Sequence, residues 1–126
     1  MKPVKRNLRK GLRVKAPDGA EVIELIGIRP TNTYEVSLAL ATVKPGEATL
    51  SHHHDFVELY LVIEGKGEVY VDGEIFKVAR GDCVLIPKGA VHYAVNNGNR
   101  ELKFWCICTP SFTEEKTYLW KPSPPP

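Results

Sequence analysis

Residues 46–65 read G-E-A-T-L-S-H-H-H-D-F-V-E-L-Y-L-V-I-E-G, and residues 81–96 read G-D-C-V-L-I-P-K-G-A-V-H-Y-A-V-N. These two stretches hold all four histidines of the chain, and each begins and ends on a residue type favoured in turns. His52 and His54 are two positions apart, and Glu58 follows four positions later. In an extended chain, residues i and i+2 share a face. His52 and His54 therefore point into one cavity while His53 points away. Glu58 has the same parity, and a bend at Asp55-Phe56 keeps it facing inward. His92 belongs to a different hairpin and must reach the others across a sheet. Neutral imidazole is the commonest protein metal ligand. Three imidazoles with one carboxylate suit a borderline divalent transition metal. The bland reading is a vestigial cavity lined by histidines that hold nothing.

Strand patterns extend outward from both stretches. Leu12–Ala16, Ala20–Ile28, Thr33–Val43, Val57–Glu64, Glu68–Val71, Glu74–Val78, Cys83–Ile86, His92–Val95 and Arg100–Thr109 are short, rich in β-branched or aromatic residues, and separated by turn residues. Asp72-Gly73 is the strongest hairpin signal, because a type I′ turn needs positive φ at both central residues. Gly46, Gly65, Gly81 and Gly89 fall at further turns, and Asn96 is placed to cap its own. No stretch of a dozen residues shows a helical period. About nine short strands with frequent turns predict an all-β fold, an antiparallel sandwich or barrel.

Length and composition bound the rest. At 126 residues the chain fits one domain. Its net charge of +2 is unevenly distributed. Lys2, Lys5, Arg6, Arg9, Lys10, Arg13 and Lys15 precede the first acid, Asp18, and the remainder carries 10 basic residues against 15 acidic ones. Basic residues without interleaved aromatics read as a solvated or sheet-pairing terminus, so no nucleic-acid partner is expected. No apolar run approaches a membrane span, and no signal segment is visible. The expectation is a soluble cytoplasmic protein with reduced thiols, its three cysteines lacking any C-x-x-C spacing. The expected division is a basic arm at 1–19, a β-barrel at 20–110 and a tail at 111–126. Phe112, Tyr118, Leu119 and Trp120 should pack that tail onto the barrel or a second subunit, with residues 122–126 frayed. Cys83, Cys106 and Cys108 read first as small buried hydrophobes, with Cys106 and Cys108 alternatively lying near the histidines. Tyr60 shares the parity of Glu58 and can line the pocket.

The spacings G-x5-H-x-H-x3-E-x6-G at 46–65 and G-x5-P-x-G-x2-H-x3-N at 81–96 resemble, at every position, the two motifs of the cupin superfamily. The intervening Lys66–Arg80 resembles the short spacer of small microbial cupins, and Glu58–Asn97 resembles the cupin portion of mannose-6-phosphate isomerase-type proteins. The resemblance implies an antiparallel double-stranded β-helix, or jelly-roll barrel. It implies one divalent metal (Fe, Mn, Ni, Zn or Cu) held by His52, His54, Glu58 and His92, and a homodimer that exchanges edge strands. It also implies a metal-dependent enzyme of dioxygenase, decarboxylase or isomerase type. The small-molecule substrate would be an organic acid, a sugar or an enolisable compound. Glu58 and Tyr60 are the candidate catalytic residues. The alternative is a non-catalytic binding or sensor module with a structural or vestigial metal site.

Overall fold

A computed structural model describes residues 1–120. Its strands are β1 (Leu12–Lys15), β2 (Glu21–Ile26), β3 (Ser37–Val43), β4 (His52–His54), β5 (Val57–Glu64), β6 (Lys66–Val71), β7 (Glu74–Ala79), β8 (Cys83–Ile86), β9 (His92–Val95), β10 (Leu102–Thr109) and β11 (Thr117–Leu119). One sheet has the order β1-β2-β3-β10-β5-β8 and the other β11-β4-β9-β6-β7, with every pairing antiparallel. The only α-helical segment among the described residues is one turn, α1 (Ile28–Thr31). No helix among them is long and apolar enough to cross a membrane. The expected all-β jelly-roll architecture is therefore present.

Period-two patterning builds the core. Glu58, Tyr60 and Val62 on β5 face the second sheet, as do Leu102, Phe104 and Cys108 on β10 and Val69 and Val71 on β6. Val84 and Ile86 complete this interior from β8. Burying a side chain such as Leu102 or Phe104 contributes about 1.5–3 kcal/mol. The Asp72-Gly73 turn joins β6 to β7 with φ of 46° and 86°, as a type I′ turn requires. Gly65 has φ of 79°, and a Cβ there would lie 2.3 Å from the Glu101 carbonyl oxygen, so no other residue fits that crossing.

Asn96 ties loops together. Its Nδ2 donates to the carbonyls of Val43 and Arg100, both at 2.8 Å, and its Oδ1 accepts the Gly98 N–H at 2.9 Å. The expected turn-capping role is present and extends to a neighbouring strand.

Several elements differ from the sequence reading. β4 and β11 are additional strands that pair with each other, Thr117↔His54 through Leu119↔His52. β3 begins at Ser37 rather than Thr33, because the preceding backbone serves the Ser111 hydroxyl, 2.7 Å from the carbonyl oxygens of both Thr33 and Val36. Cys83 is exposed, not a buried hydrophobe: it opposes Leu61 on the edge strand β8, whose inward positions are Val84 and Ile86. The basic leading segment pairs with the sheet through β1, and the tail returns through β11. The frayed end expected at 122–126 lies outside the described residues.

Candidate metal centre

The chain changes sheets between β4 and β5, and this places the site. Phe56, only 1% exposed, fills the corner and stacks on His54 with ring centroids 4.4 Å apart. The bend expected at Asp55-Phe56 is thus a crossing between layers. His52 and His54 project from β4, His92 from β9 in the same sheet, and Glu58 from β5 in the opposite sheet. His52 and His92 are direct cross-strand partners. One nitrogen from each ring and one Glu58 oxygen lie within 4.8 Å of one another, all on buried residues. His53 points outward and stacks on Tyr118 at 5.2 Å.

Hydrogen bonds on the far side of each ring set its tautomer. Nδ1 of His52 lies 2.8 Å from the Leu50 carbonyl oxygen, and Nδ1 of His92 lies 2.9 Å from that of Ala90. A carbonyl only accepts, so both Nδ1 atoms carry the proton. Thr117 Oγ1 donates its own proton to the Thr113 carbonyl at 2.8 Å and so accepts from His54 Nδ1 at 3.0 Å. In the neutral form each of the three rings therefore presents an Nε2 lone pair inward. Glu58 Oε1 lies 3.1 Å from His54 Nε2 and 3.4 Å from His92 Nε2. Glu58 Oε1 and His92 Nε2 are buried without a hydrogen-bond partner. Converging buried acceptors with no donor among them carry a large desolvation penalty. A divalent cation removes it, and three imidazoles with a carboxylate are the donor set for one. The residues fit a transition-metal ion.

Charge reinforces this. Burial, with the neighbouring His92 and His54, pushes the His52 imidazole down to about 3, so it is neutral at pH 7. Burial works to raise the Glu58 carboxyl, but hydrogen bonds and charge from the His54 and His92 imidazoles in their protonated form outweigh it and hold it well below the usual carboxylate range. Glu58 Oε2 is taken by the Cys108 thiol, which donates to it at 3.3 Å. Burial first, then Glu58, pushes the Cys108 thiol up, so it stays protonated and able to donate. Cys108 is thus more than the small buried hydrophobe of the first reading.

A cavity of about 160 Å³ opens onto the cluster. Its walls are mainly apolar, from residues such as Val22, Ala39, Ala41, Phe104 and Phe112. His52, His54 and Glu58 border it, while His92 is fully buried and does not line it. Tyr60 lines the cavity, its ring 5.8 Å from His92 and 4.4 Å from Phe104. Burial, then Glu58, pushes the Tyr60 hydroxyl well above its ordinary value. Arg29 from α1 also lines the cavity and donates to the Glu24 carboxylate at 3.2 and 2.7 Å. The sequence reading missed Asp18, 8% exposed, with Oδ2 at 3.6 Å from His52 Nε2. It also missed Thr117 and Arg29. The Asp18-Gly19 pair reads locally as a turn, and no spacing rule joins it to His52.

The family model of the cupin domain matches residues 39–108. The chain belongs to the cupin family. The uncharacterized protein MJ1618 of Methanocaldococcus jannaschii is 36% identical over 81% of this chain and 82% of its own length. Endoribonuclease YbeY of Myxococcus xanthus is 28% identical over 93% of this cupin, which spans only 40% of that protein. A 5-nitrosalicylic acid 1,2-dioxygenase of Bradyrhizobium is 32% identical over 52% of this chain and 31% of its own. Among solved structures, the plu4264 protein of Photorhabdus luminescens superposes with a TM-score of 0.68 at 26% identity, covering 85% of this chain and 86% of that one.

Proposed function

We propose that this cupin is a metal-dependent enzyme acting on a small enolisable or hydroxylated organic molecule, with dioxygen-dependent cleavage as the leading reaction and decarboxylation or isomerisation behind it. The observation that carries the proposal is the cavity. It is mainly apolar, about 160 Å³, and opens directly onto His52, His54 and Glu58. That volume suits a molecule of one ring or less; drug-sized ligands occupy roughly 300–1,000 Å³. The similarity to 5-nitrosalicylic acid 1,2-dioxygenase supports the same class.

His52, His54, Glu58 and His92 would hold the metal. When bound, it would supply Lewis acidity and open positions for the substrate and for O₂. The protein does the rest. The cavity walls exclude water and orient the substrate. Cys108 retains Glu58 Oε2, which leaves Oε1 aimed at the cluster centre. Tyr60 keeps its proton and can donate a hydrogen bond from the wall, but does not act as a base near neutral pH. The apo-protein should be loaded separately with Fe(II), Mn(II), Ni(II), Cu(II) and Zn(II) and screened against hydroxybenzoates, keto acids, polyols and sugar phosphates. Oxygen uptake with product formation supports the reading. No turnover with any metal, despite stoichiometric loading, assigns the cupin to the non-catalytic binding class.

A homodimer is part of the proposal. On the outer face of the larger sheet, Leu38, Ile107, Leu59 and Leu85 form a cross-strand row. Leu85 is 60% exposed, a large apolar surface that a second copy would cover. Light scattering that returns a monomer contradicts this part.

A further inference from the structure

Residues 1–38 precede the matched cupin segment, yet one carboxylate from them enters the site. Asp18 sits in the turn between β1 and β2 and is held from several directions. Gly19 N–H donates to the Ala16 carbonyl and Ala16 N–H to that of Ala20, both at 2.9 Å. Ala20 N–H donates to Asp18 Oδ1 at 3.0 Å. Leu50 N–H donates to the Asp18 carbonyl at 2.7 Å, and the Leu50 carbonyl accepts from His52 Nδ1. The turn, the chain before β4 and the His52 ring are thus stapled into one unit.

This unit aims Asp18 Oδ2 at His52 Nε2, 3.6 Å away. The His52 Nδ1 proton is engaged by the Leu50 carbonyl at 2.8 Å, so Nε2 and Asp18 Oδ2 meet on the ring's other side, beside the cavity. Asp18 does not belong to the four-residue cluster. It borders the cavity together with His52, His54 and Glu58. A carboxylate there accepts a hydrogen bond from an occupant and repels an anionic one.

Resting on the reading of the cluster as a metal site, we propose that Asp18 is a specificity-determining residue. Its Oδ2 accepts a hydrogen bond from a water or hydroxyl group seated at the open face of the His52–His54–Glu58–His92 cluster. It thereby favours ligands that bring an O–H to that face over ligands that bring a second anionic oxygen or nitrogen.

The probes are Co(II) alone, followed by azide, an anion with no O–H, titrated into the Co(II)-loaded protein and read from the visible absorption spectrum. Asp18→Asn keeps an oxygen for the Ala20 N–H, and Asp18→Ser is the second variant should the first fail to fold. Both should bind one Co(II) per chain within a few-fold of the wild-type affinity. Azide affinity should rise by about tenfold or more, since a unit charge beside the open face is removed. Unchanged azide affinity overturns the proposal, because Asp18 then does not face the open position. A Co(II) affinity reduced by about 100-fold or more in a natively folded variant also overturns it, because Asp18 is then a ligand. Failure of the wild-type chain to bind Co(II) sinks the metal-site reading itself and the proposal with it, and is distinguished by occurring before any substitution.

Discussion

Replacing Asn96 tests how the second motif holds the barrel. Asn96 is fully buried and makes three hydrogen bonds, two donated from Nδ2 and one accepted at Oδ1. Asn96→Ala strands all three partners. Arg100 is exposed and Gly98 half-buried, so water can reach their backbone groups, whereas Val43 is buried. An unsatisfied buried group costs about 1–3 kcal/mol and a rehydrated one about 0.5–1.5 kcal/mol. The expected loss is therefore about 2–6 kcal/mol, a large fraction of the roughly 5–15 kcal/mol that stabilises a domain. Asn96→Asp should be worse than Ala, because it keeps an acceptor for Gly98 N–H but turns an anionic oxygen on two carbonyl oxygens. Urea unfolding followed by circular dichroism measures both, with the m-value expected to hold. An Asp variant as stable as the Ala variant, or more so, would refute the assignment of Nδ2 to the carbonyls.

Other expectations follow from single contacts. Gly65→Ala should destabilise by at least about 2 kcal/mol, since it combines left-handed strain with a backbone clash at Glu101; a normal urea midpoint would contradict this. Metal-free protein should lose stability as pH falls from about 6.5. With its folded-state value near 3, the His52 imidazole takes up its proton in the unfolded chain first. The slope is at most about 1.4 kcal/mol per pH unit, hence about 2 kcal/mol between pH 6.5 and 5. Below about 4.5 the depressed Glu58 carboxyl adds to the loss, while the Asp18 carboxyl, raised chiefly by burial, partly offsets it. Unfolding free energies flat from pH 7 to 5 in the presence of a chelator would contradict this. Cys108→Val should weaken metal binding about 10–100-fold by freeing Glu58 Oε2, while Cys108→Ser should stay within a few-fold; equal affinities would remove the thiol from that role.

The two motifs made the cluster legible because each position in them has a local physical reason. Parity sets His52 and His54 on one face, glycines allow the turns, and Asn96 binds backbone. The all-β class, an antiparallel sandwich or barrel, was legible through short alternating strands, and the jelly-roll form came only with the cupin resemblance. What lay beyond the sequence are contacts made by chain-distant pairs. Asp18 reaches His52 only because the β1–β2 turn docks on Leu50, and Thr117 fixes His54 only because β11 pairs with β4. Cys83 shows the reverse limit, since its pattern resembles that of a buried strand residue and only its place on the edge strand β8 exposes it.

The most direct test of the central claim is metal stoichiometry and affinity of the untagged chain and its His92→Ala variant, by elemental analysis and competition titration. His92 is fully buried with an unpartnered Nε2 at the cluster. The account predicts close to one divalent transition metal per wild-type chain and a small fraction of that in a natively folded His92→Ala protein. Full stoichiometry and unchanged affinity in the variant would contradict the assignment of the four residues as the metal site.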